Sequence, residues 1–158
     1  MSPRKSVATL ESLPAKKATP PLRNSKKKPV NSRAKGARGE LQLAKALTEL
    51  GFPAERGQQR KGGADSPDVI CLALSGWHIE CKLTATCQMH SPATLKSWMD
   101  QARRDCEGKR MPIVIHRWNG ARDWWVLVMP YARPWYWQRL DLFVKVESEL
   151  LKIWGIPK

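Results

Sequence analysis

Asp68, Glu80 and Lys82 sit in SPDVICLALSGWHIECKL, Ser66 to Leu83, a stretch whose other residues suit two apolar strands joined at Ser75-Gly76. Charges there need a reason, because an ion taken out of water without a partner is costly. Two carboxylates a few Å apart repel, and one resists ionising. A divalent cation resolves that repulsion. Carboxylate oxygens with no His or Cys as partner ligand suit a hard ion, Mg²⁺ or Mn²⁺. Lys82 would then be a point charge beside the ion, able to orient or deprotonate a water or to stabilise negative charge developing on a phosphate.

The elements must bring these three together. Side chains alternate along a strand, so Glu80 and Lys82 share a face. A two-residue turn pairs Leu74 with Trp77 and sends Asp68 to the opposite face. A three-residue loop, Leu74 to Gly76, pairs Ala73 with Trp77, sets Asp68 opposite Lys82 and Ile70 opposite Glu80, and leaves Val69, Cys71, Ala73, Ile79 and Cys81 as core. Only this second register separates charged from apolar residues, and a one-residue slip would destroy it. The expectation is therefore an odd-length loop or an equivalent bulge, with Gly76 supplying a positive φ. His78 falls on the same face and reads as a hydrogen-bonded structural histidine.

The periodicity elsewhere predicts a helix from about Ala34 to Leu50, with Leu43, Leu47 and Leu50 as its stripe, Glu40 at the stripe's edge and Gly51 as its stop. A short extended piece follows over Ala54 to Gln58, then the glycine-containing loop QQRKGGADSP. A second helix is predicted over Pro92 to Glu107, capped by Ser91, with Leu95, Trp98, Met99, Ala102 and Cys106 inward. MPIVIHRW and DWWVLVM read as strands about a turn at Asn119-Gly120. The segment YARPWYWQRLDLFVKVESELLKIWG reads as one or two short helices. Trp124 and Trp125 should face opposite ways. Trp135 and Trp137, interleaved with Arg133 and Arg139, suit an interface better than stacking on unpaired bases. The order gives an α/β fold with a small mixed sheet flanked by helices.

The chain has 158 residues and a net charge of +14, which points to a polyanionic partner. No apolar run approaches the ~20 residues that span a bilayer, and no secretory h-region is present. The charge is uneven: residues 1–38 hold eleven Lys or Arg and one acid, Glu11. Residues 1–32 read as a disordered basic arm, either a solubilising tail or an electrostatic tether to phosphate, and 33–158 as one domain. Prolines 14, 20 and 21 argue against an amphipathic transit helix. The cysteines, Cys71, Cys81, Cys87 and Cys106, lack paired spacing and read as reduced thiols of a cytoplasmic protein. A zinc site from Cys81, Cys87 and His90 fits no common pattern.

The pattern Pro67-Asp68, then Glu80-Cys81-Lys82, resembles the signature of the PD-(D/E)XK nuclease superfamily. Its surroundings, GARGELQLAKAL, RGQQRKGGADSPDV and WMDQARRD with KRMPIVIHRWN, resemble the archaeal-type Holliday junction resolvases, including phage members, over about Arg33 to Val128. The resemblance implies a restriction-endonuclease-like fold and a Mg²⁺-dependent endonuclease, Mn²⁺ substituting, that acts as a homodimer on branched double-stranded DNA in a bacterial or phage-infected cell, close to the nucleoid. It implies that Glu40, Asp68, Glu80 and the backbone carbonyl of Cys81 hold the metal, that Lys82 is the catalytic lysine and that Gln101 supports the site. It also places Arg38, Arg56, Arg60 and Lys61 near the DNA. Arg33 and Lys35 beside them are further candidate phosphate contacts, and His116-Arg117 at a strand end either touches phosphate or caps the sheet surface. The Trp- and Arg-rich C-terminal segment has no clear counterpart in that family.

Two alternatives stand beside this reading. One is another nuclease of the same fold, of restriction, repair or flap-cleaving type, since phosphodiester hydrolysis is generic to them. The other is a non-catalytic nucleic-acid-binding protein, which the charge alone would favour but which gains nothing from acids that face phosphates.

Overall fold

The computed structural model describes residues 32–57, 66–130 and 134–153. The expected arm lies outside the described residues apart from Ser32, as do Arg60, Lys61 and Arg133. The elements run α1 (Ser32–Glu49), β1 (Ala54–Arg56), β2 (Val69–Cys71), a single 3₁₀ turn (Leu72–Leu74), β3 (Trp77–Thr84), α2 (Pro92–Cys106), β4 (Met111–Trp118), β5 (Trp125–Val128), β6 (Tyr136–Arg139) and α3 (Leu140–Ile153). Among these, no helix is long and apolar enough to cross a membrane.

The strands form a four-stranded sheet, β3-β4-β5-β6, and a two-stranded ribbon, β1-β2. β3 runs parallel to β4, Glu80 opposite Val114 and Lys82 opposite His116; the other pairs are antiparallel. A parallel neighbour requires a crossover, and α2 supplies it. This is the mixed sheet with flanking helices expected of a restriction-endonuclease-like fold.

Strand alternation divides the core in two. Ile79, Ile113, Ile115, Val126 and Val128 pack with Leu43 and Leu47 of α1 and with Phe143 and Val144 of α3. Val114 and Leu127, on the opposite face, pack with Met99 and Ala102 of α2 and with the partly buried Trp98 and Trp137. Leu43 and Leu47 bear out the predicted stripe, whereas Leu50 lies past the helix end and is exposed. Gly51 turns the chain with φ +89°.

Three expectations need correction. Val69 to Lys82 is not a tight hairpin: β2 pairs with β1 and β3 with β4, and the 3₁₀ turn between them takes Leu74 inward to 2 % exposure. Gly76 has no positive φ. Asp68 does not face Lys82 across a ladder; its amide donates to the Ile79 carbonyl at 2.9 Å. Second, Tyr136–Arg139 is a strand on β5 rather than helix, because the exposed edge of β5 offers backbone partners that local propensity does not register. Third, Ser91 makes no side-chain capping bond to the backbone; its hydroxyl pairs with that of Thr94 at 2.8 Å. Trp124 is buried and Trp125 half-buried. Trp137 packs, partly buried, against the second core and donates its indole N–H to the Met89 carbonyl.

The Asp68 segment passes the end of β1 at a close approach. Gly57 donates its N–H to the Asp68 carbonyl at 2.8 Å, and a Cβ at Gly57 would lie 1.9 Å from the Pro67 carbonyl oxygen. Only glycine fits, and the segment it admits is the one that carries Asp68. We expect Gly57→Ala to lower unfolding free energy by about 2 kcal/mol or more in denaturant titrations. Gly76→Ala, with nothing within 4 Å of its Cβ position, should stay within ~0.5 kcal/mol. Equal effects would show that the approach is not constrained.

Candidate active site

Glu80 and Lys82 project from β3 toward α2, and Gln101 of α2 meets both. The Lys82 ammonium donates to Glu80 Oε1 at 2.6 Å and to Gln101 Oε1 at 2.9 Å, while Gln101 Nε2 donates to the same Glu80 oxygen at 2.8 Å. The three side chains form a closed ring of hydrogen bonds in a part-buried setting. Such bonds to ions are shorter and stronger than neutral ones. Gln101 is fixed in orientation because its carbonyl faces a cation and its amide an anion.

Asp68 enters from the other side of β3, where its Oδ2 accepts the Cys81 N–H at 2.8 Å. β3 is the edge of its sheet, so this amide is free to be taken by a side chain. Glu40 comes from α1, its carboxylate held by the Arg56 guanidinium. The ribbon and α1 therefore deliver Asp68 and Glu40, and β3 and α2 deliver Glu80, Lys82 and Gln101.

Electrostatics show that the acids feel one another. Asp68 is raised from 3.8 to about 7, chiefly by burial and then by the charge of Glu80, with Glu40 adding and the Cys81 N–H and Lys82 opposing. Glu80 is also raised, mainly by burial, against the pull of Lys82. Cys81 is pushed well above its ordinary value by burial and by the three acids, so its thiol stays neutral and its backbone carbonyl is the better oxygen donor. These are sparsely solvated hard oxygens with surplus negative charge, a donor set that fits Mg²⁺ or Mn²⁺. In the arrangement present, the acids are turned toward Lys82, Gln101, Arg56 and the Cys81 amide. Among the described residues no three His, Cys, Asp or Glu side chains form a ready-made ion site. Cys81, Cys87 and His90 form no such group either, and all four thiols are free.

Sequence reasoning placed His116 at the sheet surface or on a phosphate. It is fully buried, ringed by Trp98, Trp118 and Trp137 at centroid distances of 5.0, 5.6 and 6.0 Å. Burial lowers its proton affinity, so the ring is neutral. The Gln88 N–H donates to Nε2 at 3.4 Å, which puts the ring proton on Nδ1, 2.9 Å from the Lys82 carbonyl oxygen. His116 thus fixes the backbone of Lys82. The parallel register that sets the two side by side is non-local, and the sequence carries no signal of it. His78 is likewise fully buried.

The basic candidates separate by place. Arg56 borders the acids through Glu40. Lys35, Arg38 and Arg117 line a groove between α1 and the ends of β3 and β4. Arg33 is exposed in the first turn of α1.

The raised proton affinity of Asp68 has a pH signature. The fold prefers its protonated form, so its contribution is full below the ordinary carboxylate value and is lost as pH rises through about 7. Thermal melts in chelator should therefore show wild type losing stability between acidic and neutral pH, with a smaller loss in Asp68→Asn. Parallel pH profiles for the two proteins would contradict the assignment.

Residues 31–147 match the family described as "Phage putative PDDEXK endonuclease". No curated protein matches the chain. The matched span includes α1, both sheets, α2 and the Asp68, Glu80-Cys81-Lys82 pattern. With most of its length covered and that pattern gathered at the edge of β3, the chain belongs to the phage PD-(D/E)XK endonuclease family.

Proposed function

We propose that the protein is a Mg²⁺-dependent DNA endonuclease whose substrate is branched DNA, cut as four-way junctions by a homodimer. The observation that carries the nuclease reading is the hydrogen-bonded ring of Glu80, Lys82 and Gln101 beside the proton-hungry Asp68. PD-(D/E)XK nucleases generally use divalent metal ions. Glu40, Asp68, Glu80 and the Cys81 carbonyl are the residues proposed to hold one. When bound, the ion would offset phosphate charge and acidify a water.

The chain's own residues supply the rest. Glu80 and Gln101 hold the Lys82 ammonium in one place, so it is pre-organised to hydrogen-bond the attacking water or to carry charge developing on a non-bridging phosphate oxygen. His116 holds the Lys82 backbone. Gln101 prevents the ammonium from swinging away when Glu80 turns to another cation. Arg56 neutralises Glu40 until a cation takes that role. Two sites in a symmetric dimer would give paired nicks. The junction reading is supported by the resemblance of α1, the loop before Asp68 and the α2–β4 segment to junction resolvases.

A labelled four-way junction and a linear duplex of the same sequence, with Mg²⁺ and with chelator, test this. Symmetric paired nicks on the junction alone are expected, falling ~10²–10⁴-fold in Lys82→Ala and ~10–100-fold in Gln101→Ala. Equal cutting of both substrates would retain the nuclease and remove the junction preference. Tight binding with no cutting would make the protein a binder.

A further inference from the structure

Lys35, Arg38 and Gln42 fall on one flank of α1 by helical spacing, away from Glu40. They face the ends of β3 and β4 across a groove of about 490 Å³, also lined by Arg117 and Asn119 and floored by Leu83 and Ala85. No carboxylate lines it. Among the described residues, Lys35, Arg38 and Arg117 form no salt bridge. The contrast with two other surface grooves is informative. One sets Arg122 and Arg139 among Glu49, Asp123 and Asp141, and the other sets Lys96 and Arg103 around Asp100. Only this groove, of the three, presents cations without acids.

Arg117 is also fixed in advance. Its guanidinium lies 4.6 Å over the Trp124 ring, and its Nη2 donates to Gln42 Oε1 at 2.6 Å. A guanidinium held by stacking and by a neutral amide keeps its full charge for a ligand. Gln42 and Asn119 add neutral amides suited to phosphate oxygens.

The floor begins one residue after Lys82. Leu83 packs against Gly39 on the α1 side of β3, whereas Lys82 points to Gln101 on the α2 side, so the groove and Lys82 meet round the free edge of that strand. We propose that this groove is a second anchoring site for the nucleic-acid backbone, holding phosphates of the strand that passes round the edge of β3 from Lys82. The assignment rests on the nuclease reading of the Asp68, Glu80 and Lys82 site. It gives that site a direction, since a strand held at both places runs from the edge of β3 toward the N-terminal half of α1.

The test is fluorescence anisotropy of a labelled duplex DNA with the full chain in chelator, over a series of salt concentrations. It compares wild type, Lys35→Gln/Arg38→Gln and the control Lys45→Gln, whose lysine pairs with Glu49 elsewhere on α1. Each lost phosphate contact lowers the slope of log affinity against log salt by about 1. The double variant should therefore lose about 2 from that slope, and Lys45→Gln should keep the wild-type slope. An unchanged slope in the double variant would overturn the proposal. Wild-type cleavage of the same duplex and of a four-way junction in Mg²⁺, and its loss in Lys82→Ala, separate the two readings. No cleavage of either substrate would defeat the nuclease reading, whereas cleavage with an unchanged slope would defeat only the groove. Competition with inorganic phosphate completes the test. If phosphate binds wild type but not the double variant while the duplex slope stays the same, the groove is a free-anion site and the backbone assignment fails.

Discussion

Asp68 and Glu80 are buried next to one another, with Glu40 close enough to raise the proton affinity of both. Desolvating such ions costs several kcal/mol each unless partners make up the loss, and each neighbouring element provides a partner. β3 gives the Cys81 amide and Lys82, α2 gives Gln101, and β1 gives Arg56. The close passage at Gly57 and Pro67 exists to bring the Asp68 segment within reach. What remains after these partners are counted is a group of acids still short of solvation, with Asp68 raised to about 7 by burial first and by the charge of Glu80 second. A fold built only for stability would replace these groups with packed apolar side chains at little loss.

How much of this could be read from the sequence depends on whether the deciding interaction was local. Asp68, Glu80 and Lys82 stood out because charged groups interrupted apolar strands, whereas Gln101 came only from the family resemblance of the second helix. Leu43 and Leu47, and the whole of β4, were legible from the same periods. The linkage between β2 and β3 was not. Both segments alternate cleanly, which made a local hairpin look self-consistent, yet each strand finds its main partner elsewhere. Leu74, assigned to a loop, is drawn into the core by the 3₁₀ turn. Tyr136–Arg139 was hidden by the continuous helical pattern that follows it, and the deciding partner, the β5 edge, is known only once the sheet is assembled. His116 was misplaced for the same reason: its partner is a carbonyl 34 positions away.

The positive charge of the domain also takes on structure. It is not spread evenly, because some cations are neutralised by neighbouring acids. Lys96 and Arg103 share Asp100, and Arg139 pairs with Asp141. The groove of Lys35, Arg38 and Arg117 retains its charge, on the flank of α1 away from Glu40. α1 thereby separates two tasks, one flank turning an acid to the cluster and the other offering cations to a polyanion. The burial of Gly39 against Leu83 sets the distance between them, since a Cβ there would lie 2.9 Å from Leu83 Cβ.

All of this rests on the claim that the excess negative charge at Asp68 and Glu80 is there to receive a divalent cation. Calorimetric titration of the full chain with Mn²⁺ near neutral pH, in two buffers of different ionisation enthalpy, tests it most directly. The account predicts saturable binding accompanied by proton release from the cluster, with both lost in Asp68→Asn. Binding without proton release, or binding of equal strength in the variant, would contradict it.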